Sequence, residues 1–467
     1  MGKAKIMNIA KIKKEVTGLR LSKGELRKIL IIVIPAFVEL VLSQLFSMVD
    51  TVMLGQSSLS YTAIASVGLT NNPVHLVIGV TQAFFIGTTA AVSWSIGAGK
   101  RDNAKAVVRE SLTLSVFIGT VAGLILYFFA GELVTFMGAK SDTYEYAKRY
   151  LQMIAWGIPF QVMTMCVTAS MRGAGLTRFP MVYNLIANAS NVLMNYLLIY
   201  GIWIFPELGV KGAAIATSCS KIIAFVMAIF AVFVFDSKIK IKITESFMIR
   251  KDTLKRIADV GITAALEQLF MQSGFILFTK IVSVLPTPIF SAHQIGLSVN
   301  GLSWVPSQAY GVAATTLVGQ ALGAEQKDIA VKHAKIIHIF SFLTSAFMGI
   351  MFILFSKNIV LIYNSEPETV LAASMVLKLI ALGLPGISTQ IPIAAALRGA
   401  KDTLTPLIAN FFSVWVFRVF VAYLFVSVFE WGIVGAWLTI VLDQTCRAVI
   451  VYSRFLSRKW LNKEITT

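Results

Sequence analysis

The residues best suited to chemistry in this sequence are four asparagines in the apolar stretch "VYNLIANASNVLMNYLLIYG". They are Asn184, Asn188, Asn191 and Asn195, and on an α-helix their spacing places all four side chains on one stripe. An earlier stretch, "IPAFVELVLSQLFSMVDTVMLG", carries two carboxylates about three turns apart on one helix face. Carboxylate and amide oxygens suit a small hard cation, or a proton that exchanges with one.

Asparagine is poorly tolerated against lipid, so this stripe is expected to face protein or water. We expect one carboxylate and part of the stripe to form a cation-coupling site. The predicted residues are Asp50, Asn188, Asn191 and Asn195, with Na+ possible at Asp50, Asn191 and Asn195. The alternative is that the amides only join neighbouring helices through hydrogen bonds.

Other polar side chains also fall inside apolar runs, where their burial is costly and function is suspected. Glu267 and Gln272 lie in "ITAALEQLFMQSGFILFTK", at positions that repeat Glu39 and Gln44. With Gln390 they make up a predicted polar site in the C-terminal half. Further intramembrane candidates are Glu39, Gln44, Asn72 and His293. Proton relay is one interpretation of the histidine, and a buried imidazole satisfied by its neighbours is the simpler one.

Three charges near the C-terminus are expected to neutralise one another. Asp443 and Arg447 stand four positions apart on one helix and can pair. Arg418, in the middle of the preceding helix, needs an acid, and Asp443 is a candidate. We therefore expect a structural ion pair among Arg418, Asp443 and Arg447.

The elements that carry these residues are membrane-spanning helices. Of the 467 residues, 57% are hydrophobic and 14% are charged, whereas soluble domains are nearer a quarter charged. Runs such as "FIGTVAGLILYFFA" belong to apolar segments long enough to cross a bilayer. The pattern predicts an all-α integral membrane protein. Its twelve transmembrane helices are expected at 29–54, 61–96, 104–130, 143–170, 178–201, 209–235, 256–285, 289–320, 327–355, 369–397, 404–427 and 432–455.

The net charge of +18 is compatible with nucleic-acid binding, but its distribution argues against that function. Lysine and arginine concentrate in the N-terminal segment and in "DSKIKIKITESFMIRKDTLKR", while connections such as "SKNIVLIYNSEPET" are neutral or acidic. This bias predicts a multi-pass protein of the inner (cytoplasmic) membrane with both termini in the cytoplasm. Membrane lipids are expected as partners and nucleic acid is not. The N-terminal segment shows no small-residue cleavage site and is interpreted as a retained tail.

The chain repeats itself about 226 positions apart. "MRGAGLTRFP" at 171–180 returns as "LRGAKDTLTP" at 397–406, and "IGAGKRDNA" at 96–104 returns as "LGAEQKDIA" at 322–330. Each half holds six helices, an even number, so both halves enter the membrane from the same side as parallel repeats. The predicted divisions are a basic tail at 1–28, an N-lobe at 29–235, a basic linker at 236–255, a C-lobe at 256–455 and a C-terminal tail at 456–467.

Two features recur in both halves. Arg172 and Arg398, in the repeated turn, are interpreted as end-of-helix cations that meet the negative helix end and lipid phosphates, and nothing more. Pro159 and Pro385 lie at matching places in the fourth helix of each half, where proline removes a helix hydrogen bond. Matching bends fit a hinged cleft between the halves of a secondary transporter, although simple packing kinks would look the same.

Several segments resemble the multidrug and toxic compound extrusion (MATE) transporters of prokaryotic type. They are "VDTVMLG", "ALEQLFMQSGFILF", "AHQIGL", "GVAATTLVGQALGA", "RGAKDT" and "FRVFVAYL". The resemblance covers nearly all twelve helices in order. It implies two six-helix lobes arranged as a V around a cleft that opens to one side. It also implies antiport, in which organic, often cationic or amphipathic compounds leave the cell as Na+ or H+ enters.

The resemblance also assigns residues. Asp50 matches the acid of the family's N-lobe cation site, Asn191 matches an asparagine of that site, and Thr217 in "GAAIAT" is a further match. Asn195 stands where many prokaryotic members have aspartate, which weakens a proton site built on two acids. Glu267 remains as the acid of the C-lobe.

The prediction is a monomeric transporter of a small organic molecule, with no enzymatic activity and no cofactor beyond the coupling ion, Na+ or H+. Two alternatives stay open. A lipid-linked oligosaccharide or lipid flippase shares the broad plan, but would be expected to line its cleft with cations for pyrophosphate. An integral membrane transferase is less favoured, because it needs aspartate-rich metal motifs that the sequence lacks.

Overall fold

The computed structural model describes residues 22–55, 60–139, 143–235, 239–242, 245 and 250–463. These residues form helices and connections without a β-strand. The helices of the N-terminal half are α1 (Lys23–Gly55), α2 (Ser60–Phe84), α3 (Ile86–Gly97), α4 (Arg101–Phe128), α5 (Ala130–Phe136), α6 (Tyr144–Ala155), α7 (Ile158–Gly173), α8 (Arg178–Tyr200) and α9 (Val210–Phe233). Those of the C-terminal half are α10 (Lys251–Val282), α11 (Thr287–Gly323), α12 (Lys327–Leu361), α13 (Pro367–Gly399), α14 (Leu404–Ser413) and α15 (Gly432–Leu456).

Among the described residues, nine helical segments are long and apolar enough to cross a membrane, and the bent pair α6–α7 makes a tenth. Helices α8 and α11 also have spanning length, and α8 is less apolar because it carries the four asparagines. With α2–α3 and α6–α7 each taken as one span, the described chain accounts for the twelve predicted spans. The fold is all-α, as predicted.

Four of the described spans depart from regular α-helix, and one of them is α12, whose backbone is not helical at Phe355 (φ −111°, ψ 18°). The pair α6–α7 bends by 46°, and Pro159 at the start of α7 explains the break because proline lacks the N–H that would continue the helix. The predicted span 61–96 divides at Phe85, which the sequence analysis did not anticipate. Helix α14 continues as π-helical segments, Val414–Val421 and Leu424–Val428, and such segments often occur at functional sites.

A proline also lies inside α1. Pro35 cannot donate to the carbonyl of Ile31, one turn earlier, so that carbonyl needs another donor. The hydroxyl of Thr177, in the turn before α8, donates to it at 3.2 Å. The bond fixes the start of α8 against α1 beside Pro35, and α8 is the helix that carries the asparagine stripe.

The two halves meet through contacts that repeat with the sequence. Trp94 donates through Nε1 to the carbonyl of Gly399 at 2.6 Å. Its repeat mate, Gln320, donates through Nε2 to the carbonyl of Gly173 at 3.0 Å. Both bonds lie at the end of the bundle that holds the repeated Arg-Gly-Ala turns, which we call the basic end. The interface there is therefore a pseudo-twofold one, as parallel repeats require.

Glycines allow the close approach at the basic end. A Cβ on Gly97 would clash with the carbonyl oxygen of Gln320, and one on Gly323 would clash with that of Trp94. The two glycines are repeat mates. Helices α3 and α11 therefore touch backbone to backbone, without side chains between them.

Parts of the predicted tails and linker are packed. Helix α1 begins at Lys23, before the predicted residue 29. Trp460 is buried and stacks on Phe455, although it lies in the predicted C-terminal tail. Ile239 and Ile241, in the predicted linker, are buried as well. The remainder of the N-terminal tail, 1–21, lies outside the described residues.

Candidate functional site

The asparagine stripe of α8 lies along α1. The hydrogen bonds between the two helices join Asn184 to Glu39 at 2.7 Å, Asn188 to Ser43 at 3.3 Å and Asn195 to Asp50 at 2.8 Å. Every pair is 145 positions apart, which means that the helices run in the same direction and in register. The predicted shared face of Glu39 and Asp50 is therefore the face that α8 covers.

Asp50 lies at the centre of a cluster of oxygens. Asn195 donates through Nδ2 to Asp50 Oδ1 and also contacts Asn191 Oδ1, at 3.3 Å. With its amide turned, Asn191 donates to both carboxylate oxygens at 2.9 Å and accepts from the Thr217 backbone N–H at 3.2 Å. In the other orientation the Asn191 oxygen faces the carboxylate, an arrangement that needs a cation or a proton between the oxygens. The Asn195 oxygen is buried and has no hydrogen-bond partner among the described residues.

Asp50 differs from the fully buried carboxylates in its partners. Each of those has an arginine: Glu39 pairs with Arg172, Glu110 with Arg250, Glu267 with Arg398, Asp402 with Arg454, and Asp443 with Arg418 and Arg447. Half-buried Asp50 is held only by amides within the part of the chain that the structure describes. Its negative charge therefore has no fixed counter-charge.

The arginines of the repeated turn reach into the helical bundle. Arg172 donates to Glu39 Oε1 at 3.0 Å, and the same oxygen accepts from Asn184. Both carboxylate and guanidinium are largely buried. The interpretation of Arg172 as an end-of-helix cation and nothing more was therefore wrong. Its long side chain extends from the helix end to an acid in α1 that would otherwise be buried without a counter-charge.

The C-terminal half repeats this triad. Arg398 and Asn410 both donate to Glu267 Oε1, so the interpretation of Arg398 is corrected in the same way. Arg447 then donates to Asn410 Oδ1 at 2.7 Å. The C-terminal triad is thus joined to a further group of charges, whereas no such connection of the N-terminal triad occurs among the described residues.

That further group is centred on Asp443. Arg418 Nε lies 2.7 Å from Asp443 Oδ2, and Arg447 Nε lies 2.7 Å from Oδ1. The Arg418 guanidinium also lies over the ring of Phe275, 4.4 Å from its centroid. The three residues predicted to neutralise one another are therefore in direct contact, buried between α15 and the π-helical part of α14.

With this geometry established, comparison with known proteins gives the family. The MatE family model matches the chain twice, over residues 35–197 and 263–424. The chain belongs to the MatE family. It is therefore a membrane transporter and not an enzyme. The two matched segments correspond to the two halves of the sequence repeat.

Relatives of this MatE transporter match along almost its whole length. It is 31% identical to "Probable multidrug resistance protein NorM" of Thermotoga maritima over 95% of each chain. It is 26% identical to "Uncharacterized transporter YisQ" of Bacillus subtilis, over 92% of this chain and 94% of the relative. A crystal structure of MATE in complex with MaD3S superposes with a TM-score of 0.86 at 22% identity, covering 95% of this chain and 98% of the other. That crystal structure and this chain share the two-lobe fold.

Within this MatE transporter, three predicted site residues lie elsewhere than expected. Asn188 contacts Ser43, because it precedes Asn195 by seven residues, about 10 Å along a helix. It is therefore not part of the cluster around Asp50. Gln390 donates to Gln444, and no described hydrogen bond joins it or half-buried Gln272 to Glu267. The described partners of Glu267 are thus Arg398 and Asn410, and not the two glutamines predicted to lie beside it.

The other intramembrane candidates are dispersed. Gln44 and Asn72 are exposed on the protein surface. His293 is completely buried, within 6 Å of the Phe278 and Trp437 ring centroids. Neither of its nitrogens has a hydrogen-bond partner among the described residues, so the expected satisfied imidazole is not found there. No group of three His, Cys, Asp or Glu side chains able to hold a metal occurs in the described ranges.

The sequence indicated most of the polar residues inside the membrane, but not the residues to which they are hydrogen-bonded. Ser43 and Gln444 have no distinctive pattern around them. Arg172 and Arg398 did have a signal: each half repeats an arginine at the end of its fourth helix and a glutamate in its first. The two repeats together indicate the same pairing in each half of this chain.

Proposed function

We propose that this transporter exports organic compounds, cationic or amphipathic, from the cytoplasm in exchange for inward Na+ or H+. The Thermotoga maritima relative bears the name of a multidrug resistance protein, which supports export of this kind. The proposal that transport is coupled to a cation rests on one observation: the described partners of the Asp50 carboxylate are amides, and none of them is a cation. A carboxylate removed from bulk water in this way favours either a bound cation or a proton.

The oxygens around Asp50 fit either coupling ion. Asp50, Asn191 and Asn195 supply oxygen ligands of the kind that hard cations prefer. A proton on the carboxylate would also relieve the contact with the Asn191 oxygen. Na+ and H+ therefore compete for one group, and we expect Na+ affinity to fall as the pH falls, because a protonated carboxyl no longer offers a charged ligand.

The contacts at the basic end support alternating access. The excess of lysine and arginine there supports a cytoplasmic location of this end and of both termini. We propose that the protein acts as a monomer in the inner membrane. Because Trp94, Gln320 and the two glycines hold the lobes together at that end, the cleft in this conformation would open to the outside. Transport then requires these contacts to separate when the cytoplasmic side opens.

The test uses proteoliposomes that contain the full chain. Transport of a fluorescent organic cation such as ethidium is measured under a Na+ gradient alone and under a pH gradient alone. We expect at least one gradient to drive transport in the wild type, and Asp50→Asn to abolish the driven component. Asp102→Asn is the matched control, since it makes the same chemical change on a side chain that is 98% exposed.

Calorimetry on the purified protein separates binding from transport. Na+ binding that disappears in Asp50→Asn, and weakens between neutral and acid pH, is the expected result. Asn195→Ala is expected to weaken binding without abolishing it, because Asp50 and Asn191 remain. Wild-type activity in Asp50→Asn would overturn the assignment of coupling to this residue. Transport that responds to neither gradient in the wild type would overturn the antiport proposal itself.

A further inference from the structure

A groove of about 470 Å³ lies between the first halves of α1 and α8. Its cations are Lys23, Arg27 and Arg178, and its walls include the apolar side chains of Leu30, Ile34 and Met181. Lys23 and Arg178 are the first residues of their helices. The groove therefore has a positive end at the basic end of the bundle and an apolar end deeper in the membrane.

The side chains of the three cations point toward the same membrane surface, and none of them has a partner among the described residues. Because α1 and α8 run parallel, and helical side chains lean toward the N-terminus, all three lean toward the same membrane surface. None of them forms an ion pair or a hydrogen bond with another residue in the described part of the chain. The nearby acids already have partners: Glu25 contacts Lys332 at 2.7 Å, and Glu39 contacts Arg172. The groove thus retains a positive charge that its own neighbours leave uncompensated.

The apolar end is accessible from the membrane. Leu30, Ile31 and Ile34 are 37%, 38% and 54% exposed. From Lys23 to Pro35 the groove follows α1 for about 18 Å, at a rise of about 1.5 Å per residue. That length accommodates a charged headgroup at one end and the first part of an acyl chain at the other.

We propose that this groove binds one anionic phospholipid, with its phosphate on Arg27, Arg178 and Lys23 and an acyl chain along Leu30, Ile34 and Met181. A cationic transport substrate would be repelled by the three charges. The N-terminal segment 1–21 does not complement them either, because it contains six Lys and Arg residues and one Glu. Basic side chains at the surface of an anionic membrane attract its lipids, so three of them in one groove favour an anionic headgroup.

The proposed site belongs to the N-terminal half alone. The repeat mates of Lys23 and Arg27 are Lys251 and Lys255, but Leu404 stands in the position of Arg178. The C-terminal half thus keeps the two charges that correspond to those of α1 and lacks the third, which Arg178 of α8 supplies in the N-terminal half. This difference provides a control with the same change in net charge at the corresponding place in the other half.

The experiment measures lipid binding to the purified full chain by native mass spectrometry. The probes are 1-palmitoyl-2-oleoyl phosphatidylglycerol, the corresponding phosphatidylcholine, and inorganic phosphate. We expect the wild type to retain one phosphatidylglycerol at least tenfold more strongly than phosphatidylcholine. Arg27→Gln/Arg178→Gln should lose that preference, and Lys251→Gln/Lys255→Gln should keep it. Ile34→Trp, which fills the apolar wall and leaves every charge, should weaken phosphatidylglycerol binding as well.

Three results would overturn the proposal. Equal loss in both double variants would mean nonspecific attraction to surface charge. Unchanged binding in Ile34→Trp would mean that the wall takes no part. Binding of inorganic phosphate that displaces phosphatidylglycerol one for one would mean a free-anion site. If the Arg27→Gln/Arg178→Gln protein does not fold, Ile34→Trp and the phosphate competition still decide the question.

Discussion

The guanidinium of Arg172 lies 3.0 Å from the carboxylate of Glu39, across 133 positions of sequence. Arg398 and Glu267 repeat the relationship in the other half, across 131 positions. In each half an asparagine of the fifth span donates to the same carboxylate oxygen. The scaffold of this transporter therefore contains two matching buried ion pairs, one in each lobe, whose arginines lie next to the contact between the lobes.

Removing the carboxylate of the N-terminal ion pair should lower the stability of the protein. Glu39→Gln leaves the Arg172 guanidinium largely buried without its acid, and we expect a loss of about 3–5 kcal/mol in the free energy of unfolding. Adding Arg172→Gln to it should recover part of that loss, because the unpaired charge is removed. Unfolding in mixed micelles measures the change. Glu145→Gln is the control: it breaks the exposed pair of Glu145 and Arg149 and should change stability by less than about 1 kcal/mol.

Glu267→Gln should impair transport more than Glu39→Gln. Glu267 shares Asn410 with Arg447, which continues to Asp443 and Arg418. Loss of its charge therefore disturbs a network that already contains more arginines than acids, whereas the described contacts of Glu39 end at its own triad. Initial transport rates per folded protein in proteoliposomes test this. Equal rates in the two variants would show that the connection through Asn410 has no role in transport.

A methyl group at Gly97 should disfavour the closed basic end. The Cβ of Gly97→Ala would clash with the Gln320 carbonyl, which belongs to a helix backbone and cannot rotate away. The measurement uses spin labels on Asp102→Cys and Asp328→Cys, in a protein whose native cysteines are replaced by alanine. We expect Gly97→Ala to increase the share of long distances between the two labels. Gly68→Ala should leave the distances unchanged, since a Cβ there meets nothing within 4 Å. Identical distance distributions in both variants would remove Gly97 from the closure.

The hydroxyl of Thr177 should stabilise α1 at Pro35, where the Ile31 carbonyl lacks its helical donor. Thr177→Val keeps the shape of the side chain and removes the donor to the Ile31 carbonyl. A buried acceptor left without a donor costs about 1–3 kcal/mol, and a hydrogen bond in a membrane protein contributes about 0.6 kcal/mol on average. We therefore expect Thr177→Val to lower the free energy of unfolding by about 1 kcal/mol. Thr177→Ser retains the hydroxyl and should lose less. The unfolding midpoint of both variants checks the order, and a Thr177→Val protein as stable as wild type would contradict it.

The sequence by itself determined the spans, the repeat and the face of α8 that carries the asparagines. These depend on helical periodicity and on apolar length, which are local properties that can be read along the chain. Asp50 and Asn195 could be placed together because two polar stripes inside a membrane must face each other or water. The repeat also predicted that features of one half would return in the other, as the matching triads do.

Only the tertiary structure decided the polar contacts that neither helical spacing nor the repeat specifies. The chain pattern does not specify the rotation and depth of one helix against another, so it could not assign Asn188 to Ser43 or Gln390 to Gln444. Nor could it show that Arg172 extends from the end of its helix to an acid in α1. Repeats share a fold but not every residue: Gly175 and its mate Lys401 both adopt the left-handed conformation, at φ 80° and 64°. Glycine accepts that conformation freely and lysine does so at a cost, so the surrounding fold, and not the residue type, sets the conformation at Lys401.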